Sequence, residues 1–333
     1  MSKFSLYHRL TEIGSLTEPC GNPDPRYALP STVNWMRALS IAVSAQDFDF
    51  EDASRFYKNV KRASTSEKQE NTIFEHLLFS LHQLSCLKAM EKIEPQADVA
   101  RVAVVAWYYG IYWAAKAMIA AQMGQVQENH AATANAWYAQ FPAKKLAMEP
   151  FHLSVKTLVK AAADAELDQL RLGCARSNLV VEPISESDAH SALCGYLTGT
   201  VSWSRGIKEE SLKKSREFKA LRVKGEPVTD FRSRAAKLLR DSRLSDSPTC
   251  FLNQAFRYRG KANYREGLYL AHGRSVEATI DGFIPDMTNV LSAFLTMASG
   301  FCARHLDEKL WVSFVQDLEQ KRAFSFSPKQ IFE

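Results

Sequence analysis

The chain has 333 residues, of which 46% are hydrophobic, 11% aromatic and 24% charged, and its net charge is +5. That balance suits a globular protein with a large buried core and excludes an intrinsically disordered chain. With only 14 Gly and 12 Pro, the sequence has few of the turn residues that a strand-rich fold needs, and the expected class is mainly all-α. The six cysteines (Cys20, Cys86, Cys174, Cys194, Cys250 and Cys302) include no CxxC pair. Neither a zinc site nor a disulfide framework is expected from them; free thiols in a reducing cytoplasm are. The opening MSKFSLYHRLTEIGS lacks the apolar run of a signal peptide.

In chain order, residues 18–33 hold four prolines and read as an extended loop, after which Ser31 or Thr32 is expected to cap a helix running to about residue 45. A second helix is expected from residue 50 over FEDASRFYKNVKRA, and the polar STSEKQEN, 64–71, reads as a turn. Residues 70–93 carry apolar side chains at 74, 77, 78, 81, 84, 87 and 90, which is helical spacing. Pro95 then breaks the chain, a very apolar helix follows from about Asp98, and Gly124 ends it. Val102 to Ala121 contains one charge, Lys116, and is long enough to cross a bilayer. Its aromatics (Trp107, Tyr108, Tyr109, Tyr112, Trp113) sit at the centre rather than at the ends, however, so it reads as a buried core helix, and no membrane is expected.

Asn129 is expected to cap a helix that Pro142 stops. Beyond it, VKTLVKAAADAELDQLRLG, 155–173, reads as helix, SNLVVEPIS, 177–185, as a short strand, and 186–204 as helix weakened by Gly195 and Gly199. Helix is expected again over 250–273 and 284–305, followed by a loosely held tail.

Charge is concentrated. Residues 205–245 hold thirteen Lys and Arg against six Asp and Glu, a net +7 where the whole chain carries +5. The cations singled out as nucleic-acid contacts are Arg205, Lys208, Lys213, Lys214, Arg216, Lys219, Arg222, Lys224, Arg232, Arg234, Lys237 and Arg240. Such a cluster favours a polyanion through counterion release. It equally describes a solvated helix face with i,i+4 pairs such as Glu210–Lys214. HExxH, P-loop, GxGxxG and GxSxG motifs are all missing, so no cofactor and no metal are expected.

Three segments carry a family resemblance. AWYYGIYWAAKAMIAAQMG, 106–124, resembles the signature helix of the minimal HEPN (higher eukaryotes and prokaryotes nucleotide-binding) family. Asn129, His130 and the helix to Phe141 resemble its next segment. FRYRGKANYREGLYLA, 256–271, resembles its LRxxADY segment, with Arg259 at the Arg position, Asn263 replacing Asp, and Tyr264 matching. The resemblance divides the chain into an N-terminal helical extension (1–65), two halves of a helical bundle (66–142 and 250–308), a large basic and mostly helical insertion (143–249) and a C-terminal tail (309–333).

It implies a homodimer-forming bundle directed at RNA, in many members a metal-independent endoribonuclease of prokaryotic defence or toxin–antitoxin systems. The family's catalytic signature is an Arg followed a few residues later by His. Here Arg265 and His272 fit that spacing, i and i+7 on one helical face, about 10.5 Å apart along the axis. Such a His can move a proton and such an Arg can steady phosphate charge. In the aligned register the corresponding set is Arg259, Asn263 and Tyr264, with tyrosine where nuclease members place His. A bland alternative keeps both arginines in ion pairs and uses His272 as a cap before Gly273. Two functions therefore stand open: an RNA-directed HEPN-like protein, and a non-catalytic helical scaffold that binds a partner protein or dimerises.

Overall fold

The computed structural model describes residues 25–46, 48–62, 64–175, 179–223, 225–265, 270, 280–321 and 324–333. Thirteen α-helices, one two-stranded hairpin, a 3-10 turn at Pro142–Lys144 and a π-helical turn make up the regular structure of the described residues, so the fold is mainly all-α. The helices are α1 Pro25–Ser44, α2 Phe50–Phe56, α3 Glu67–Met90, α4 Ala97–Met123, α5 His130–Gln140, α6 Lys160–Leu170 and α7 Glu186–Lys214. They continue with α8 Arg216–Ala220, α9 Arg234–Leu244, α10 Phe251–Gly260, α11 Phe283–His305, α12 Glu308–Lys321 and α13 Lys329–Phe332. Strands β1 Arg222–Val223 and β2 Glu226–Pro227 form an antiparallel ladder between α8 and α9.

The apolar stretch after Pro95 becomes α4, the axis of the protein. It ends at Gly124, whose φ of 71° lets the chain turn out of the helix and return its N–H to Ala120. Helix α3 lies along one side of α4 and α11 along another, with α10 crossing it. Tyr108 and Tyr112 are buried and Trp113 half-buried, as an all-round apolar helix requires. Close approach is built in at Gly110, where a Cβ would stand 2.5 Å from Leu291 Cδ2. On the opposite flank Ser80 Oγ donates to the Gly110 carbonyl at 2.9 Å. Helix α4 is long and apolar enough to span a membrane by length and composition, and 72% of its apolar window is buried inside the protein.

Several local expectations are corrected. Ser31 and Thr32 lie inside α1, which begins at Pro25 and carries Pro30 within it. Packing of Val33, Trp35, Met36 and Leu39 in the core outweighs the local cap signal. The second helix stops at Phe56, because Tyr57 turns inward and donates its hydroxyl to the Leu146 carbonyl at 2.9 Å. The polar stretch read as a turn instead opens α3: Ser66 caps it, accepting from the Gln69 N–H, and Glu67 and Glu70 sit in its first turn.

The helix read from 155 begins only at Lys160. The backbone before it is committed elsewhere: Val155 exchanges both hydrogen bonds with Thr249, and the Leu158 N–H donates to Leu244. No strand forms over residues 179–185; Leu179 has a positive φ and its carbonyl accepts from Asn34 Nδ2 instead. Helix α7 runs unbroken through Gly195 and Gly199 to Lys214. The tail is not loose: α12 and α13 pack together, Trp311 Nε1 donates to the Phe332 carbonyl, and Ile331 and Phe332 are buried.

One hydrophobic cluster takes in α1, α3, α4, α5, α10, α11 and both C-terminal helices, together with Phe151 to Leu167 and α7 as far as Val201. The first part of the 143–249 stretch is thus woven into the same core. Beyond Val201 the chain forms a small lobe whose buried Leu212, Phe218 and Ala236 stand outside that cluster, which Leu244 at the end of α9 rejoins. Cys86, Cys174, Cys194, Cys250 and Cys302 are free thiols, and Cys20 lies outside the described residues.

Burial also sets an acid limit on stability. His305 is 5% exposed, lies 4.6 Å from the Phe301 ring at a tilt, and has no hydrogen-bond partner on either ring nitrogen among the described residues. Burial, then the neighbouring Arg304, hold its pKa below the ordinary value; burial does the same for His76 and His152. An unfolded histidine titrates near 6.5, so the stability gained by keeping these rings neutral is fully present above about pH 6.5. It is lost as pH falls from there through the folded values. The urea midpoint is expected to drop between pH 7.5 and pH 5.5, and His305→Leu to flatten that drop. A midpoint independent of pH over this range would refute the assignment.

Candidate functional site

Three helices distant in sequence meet at an arginine held by aromatic rings. Arg259, near the end of α10, sets its guanidinium carbon 5.1 Å from the Tyr108 ring centroid, 5.3 Å from Phe256 and 6.0 Å from Tyr109. Its Nη1 lies 3.4 Å from the Tyr109 hydroxyl, and its buried Nε has no hydrogen-bond partner among the described residues. Nor, among them, does any Asp or Glu form a salt bridge with it. Ring faces partly balance its charge, and among the described residues no anion does so.

His130, the first residue of α5, completes the group. Asn129 caps that helix, accepting from the Ala132 N–H at 2.9 Å, which fixes where His130 leaves the backbone. His130 Nδ1 is 2.7 Å from the Tyr108 hydroxyl, and its ring lies 4.5 Å from Tyr112. Burial lowers its pKa, and the charges of Arg259 and Lys116 lower it further, which favours the neutral ring. Burial pushes the Tyr108 phenol upward, so that hydroxyl stays protonated. Lys116, itself buried, is 4.9 Å from the Trp113 ring and 5.6 Å from Tyr112. Burial lowers its pKa while Glu75 opposes that shift. The arrangement is two cations, a neutral base and three tyrosines, suited to an oxyanion beside a planar ring.

The chain leaves α10 through a π-helical turn, Lys261–Arg265. Such turns concentrate at functional sites. Arg101 Nη2 holds it, donating to the Asn263 carbonyl at 3.2 Å and to Asn263 Oδ1 at 3.1 Å.

Of the residues singled out from sequence, Arg259 is therefore in the site and Asn263 is tied to Arg101. The side chains of Tyr264 and Arg265 lie outside what is described, as does His272. From sequence, His130 enters only through the family resemblance, Tyr109 only as a central aromatic of the apolar helix and Lys116 only as its single charge. The available signal was Tyr108 and Tyr112 one turn apart, with Tyr109 beside them, on an otherwise alanine-rich helix.

The basic lobe sorts into engaged and free cations. Arg205 Nε donates to the Leu158 carbonyl, and Lys208 Nζ to Ser247 Oγ. Lys213 pairs with Glu210 at 2.6 Å, displacing the expected Glu210–Lys214 pair. Arg232 pairs with Asp230, Arg240 with Glu209 and Asp241, and Arg243 with Glu217. Arg222 turns its guanidinium onto the Lys219 and Leu221 carbonyls. Lys224 lies outside the described residues. Lys214, Arg216, Lys219, Arg234 and Lys237 are exposed and form no salt bridge among the described residues.

Fold and site together define a mainly α-helical protein with an aromatic-lined cationic site and a separate basic lobe. No protein-family model matches the chain, and no curated protein or solved structure matches it. Among the described residues, no three of His, Cys, Asp and Glu gather as a metal-binding group.

Proposed function

We propose that the chain is a cytoplasmic RNA-binding protein of HEPN-like architecture, with α4 as a core helix rather than a membrane span. The observation that carries the reading is the set of five exposed cations on one small lobe, Lys214, Arg216, Lys219, Arg234 and Lys237, without salt bridges among the described residues. Free, solvated cations release phosphate counterions on binding, whereas cations already in ion pairs contribute little. The Arg259–His130 site would then take one phosphate and its base, with Tyr109 offering a hydroxyl.

His130 favours a second step, cleavage. A neutral imidazole can accept the proton of a ribose 2′-OH. The 2′-oxygen then bonds to phosphorus, the bond from phosphorus to the 5′-oxygen breaks, and a 2′,3′-cyclic phosphate forms. The departing oxygen takes a proton from water or from a second protomer's site. Arg259 would neutralise the phosphate throughout. Because RNA supplies the nucleophile, this route needs no metal.

The test is the salt dependence of binding to a fluorescein-labelled single-stranded RNA, followed by anisotropy. Lys214→Glu, Arg216→Glu and Lys219→Glu combined should leave the fold intact, since exposed changes usually cost little. The log–log salt slope should fall by about 0.7 for each phosphate no longer neutralised, roughly 2 in all. Incubation with RNA in EDTA should give cyclic-phosphate ends that His130→Ala removes while binding persists. Affinity and slope unchanged in the triple variant would reject the RNA reading and leave the bundle as a partner-binding scaffold.

A further inference from the structure

A cavity of about 440 Å³ opens on the far end of the bundle, between α2, the end of α11, α12 and the C-terminal helix α13. Its size falls within the range of small-ligand sites, roughly 300–1,000 Å³. The walls are apolar: Phe50 and Trp311 stack with ring centroids 6.2 Å apart and planes 8° from parallel, and Phe332, Ala303 and Val312 complete them. Gly300 lines the cavity as well, and its missing side chain brings α2 close against α11.

The rim is charged. Lys58, Arg62 and Arg304 line the cavity with Glu308 and Glu333. Glu333 is taken by Lys329 at 2.8 Å, and Glu308 lies 3.9 Å from Arg62. Arg304 commits its Nε to the Val60 carbonyl at 2.9 Å, which holds the guanidinium in place and leaves its two amino groups. Lys58 is exposed and has no salt bridge among the described residues. Lys58 and Arg304 are thus the rim cations with no side-chain salt bridge among the described residues, beside an aromatic wall.

From this juxtaposition we infer that the cavity is a binding site for a small amphipathic carboxylate, its flat apolar body against Phe50 and Trp311 and its carboxylate between Lys58 and Arg304. The inference is independent of RNA binding, since none of these residues belongs to the lobe or to the Arg259 site. Arginine and lysine suit a carboxylate at the edge of an apolar slot: the body gains by leaving water, and the charge keeps partly hydrated partners.

Calorimetric titration of the full chain with 2-naphthoate tests it, with neutral 2-naphthylmethanol in parallel. A single saturable site is expected for the acid, with the alcohol about tenfold weaker, a difference of about 1.4 kcal/mol. Lys58→Glu, an exposed change, should weaken the acid by a similar factor and leave the alcohol unaffected. Val312→Trp, at a half-open wall position 40% exposed, should fill the slot and remove both. Circular dichroism and urea midpoints establish that each variant is folded. No saturable heat with 2-naphthoate, equal affinity for acid and alcohol, or affinity surviving Val312→Trp in a folded protein would overturn the inference.

Discussion

Trp107→Ala is expected to lower the unfolding free energy by about 3–5 kcal/mol, read as a fall in the urea midpoint. Trp107 is fully buried at the middle of α4. Its ring meets Trp35 of α1 at 5.8 Å, and Tyr258 and Phe251 of α10 at 5.5 and 6.3 Å. Removing it leaves a hole where three helices converge, and helices pinned by other neighbours cannot close over it. One effect acts in the other direction. The indole Nε1 is buried without a hydrogen-bond partner among the described residues, so its removal also recovers a desolvation cost. Trp107→Phe keeps most of the ring packing and drops the stranded N–H, and its destabilisation should stay below about 1.5 kcal/mol. A phenylalanine variant as unstable as the alanine one would show that the indole N–H has a partner after all.

Gly300→Val is expected to cost about 3 kcal/mol, the upper end of ordinary overpacking. A Cβ at this position would lie 2.8 Å from Ala53 Cβ, 3.1 Å from the Ala53 carbonyl carbon and 3.2 Å from the Ser54 nitrogen. Two of these neighbours are backbone, so α2 as a whole would have to move away from α11. Helix propensity alone predicts little change or a slight gain, since glycine is the poorer helix former by up to about 1 kcal/mol. Gly206 in α7 is the control. A Cβ there meets nothing within 4 Å, and Gly206→Ala should stabilise by about 1 kcal/mol. Equal effects at the two glycines would mean that the close approach of α2 is unimportant.

The contrast between these helices shows what the sequence disclosed. Helix α4 is written in local terms: a break at Pro95, apolar residues on every face, and Gly124 at a position needing positive φ. The Asn129 cap is equally local. The delayed start of α6 is not, because it depends on Val155 pairing with Thr249, a partner from the far side of a long excursion. The docked C-terminal segment is illegible for the same reason: Ile331 and Phe332 end a short mixed run until Trp311 is placed beside Phe332. The site divides likewise. Arg259 is visible as a cation on a helix, but its approach to Tyr109 joins residues 150 apart in the chain. No pattern within α10 reveals that tyrosines of another helix will surround it.

Helix α7 belongs to two places at once. Its N-terminal part, through Val201, is sealed into the main hydrophobic cluster, and its last turns carry Lys213 and Lys214 out to a lobe with its own small set of buried side chains. The lobe's buried contacts are few, and its amides are expected to exchange with solvent deuterium well before those of α4 and α11. A ligand that settles on the lobe would slow that exchange locally, and protection would extend along the continuous helix only as far as the turn where the shared core begins.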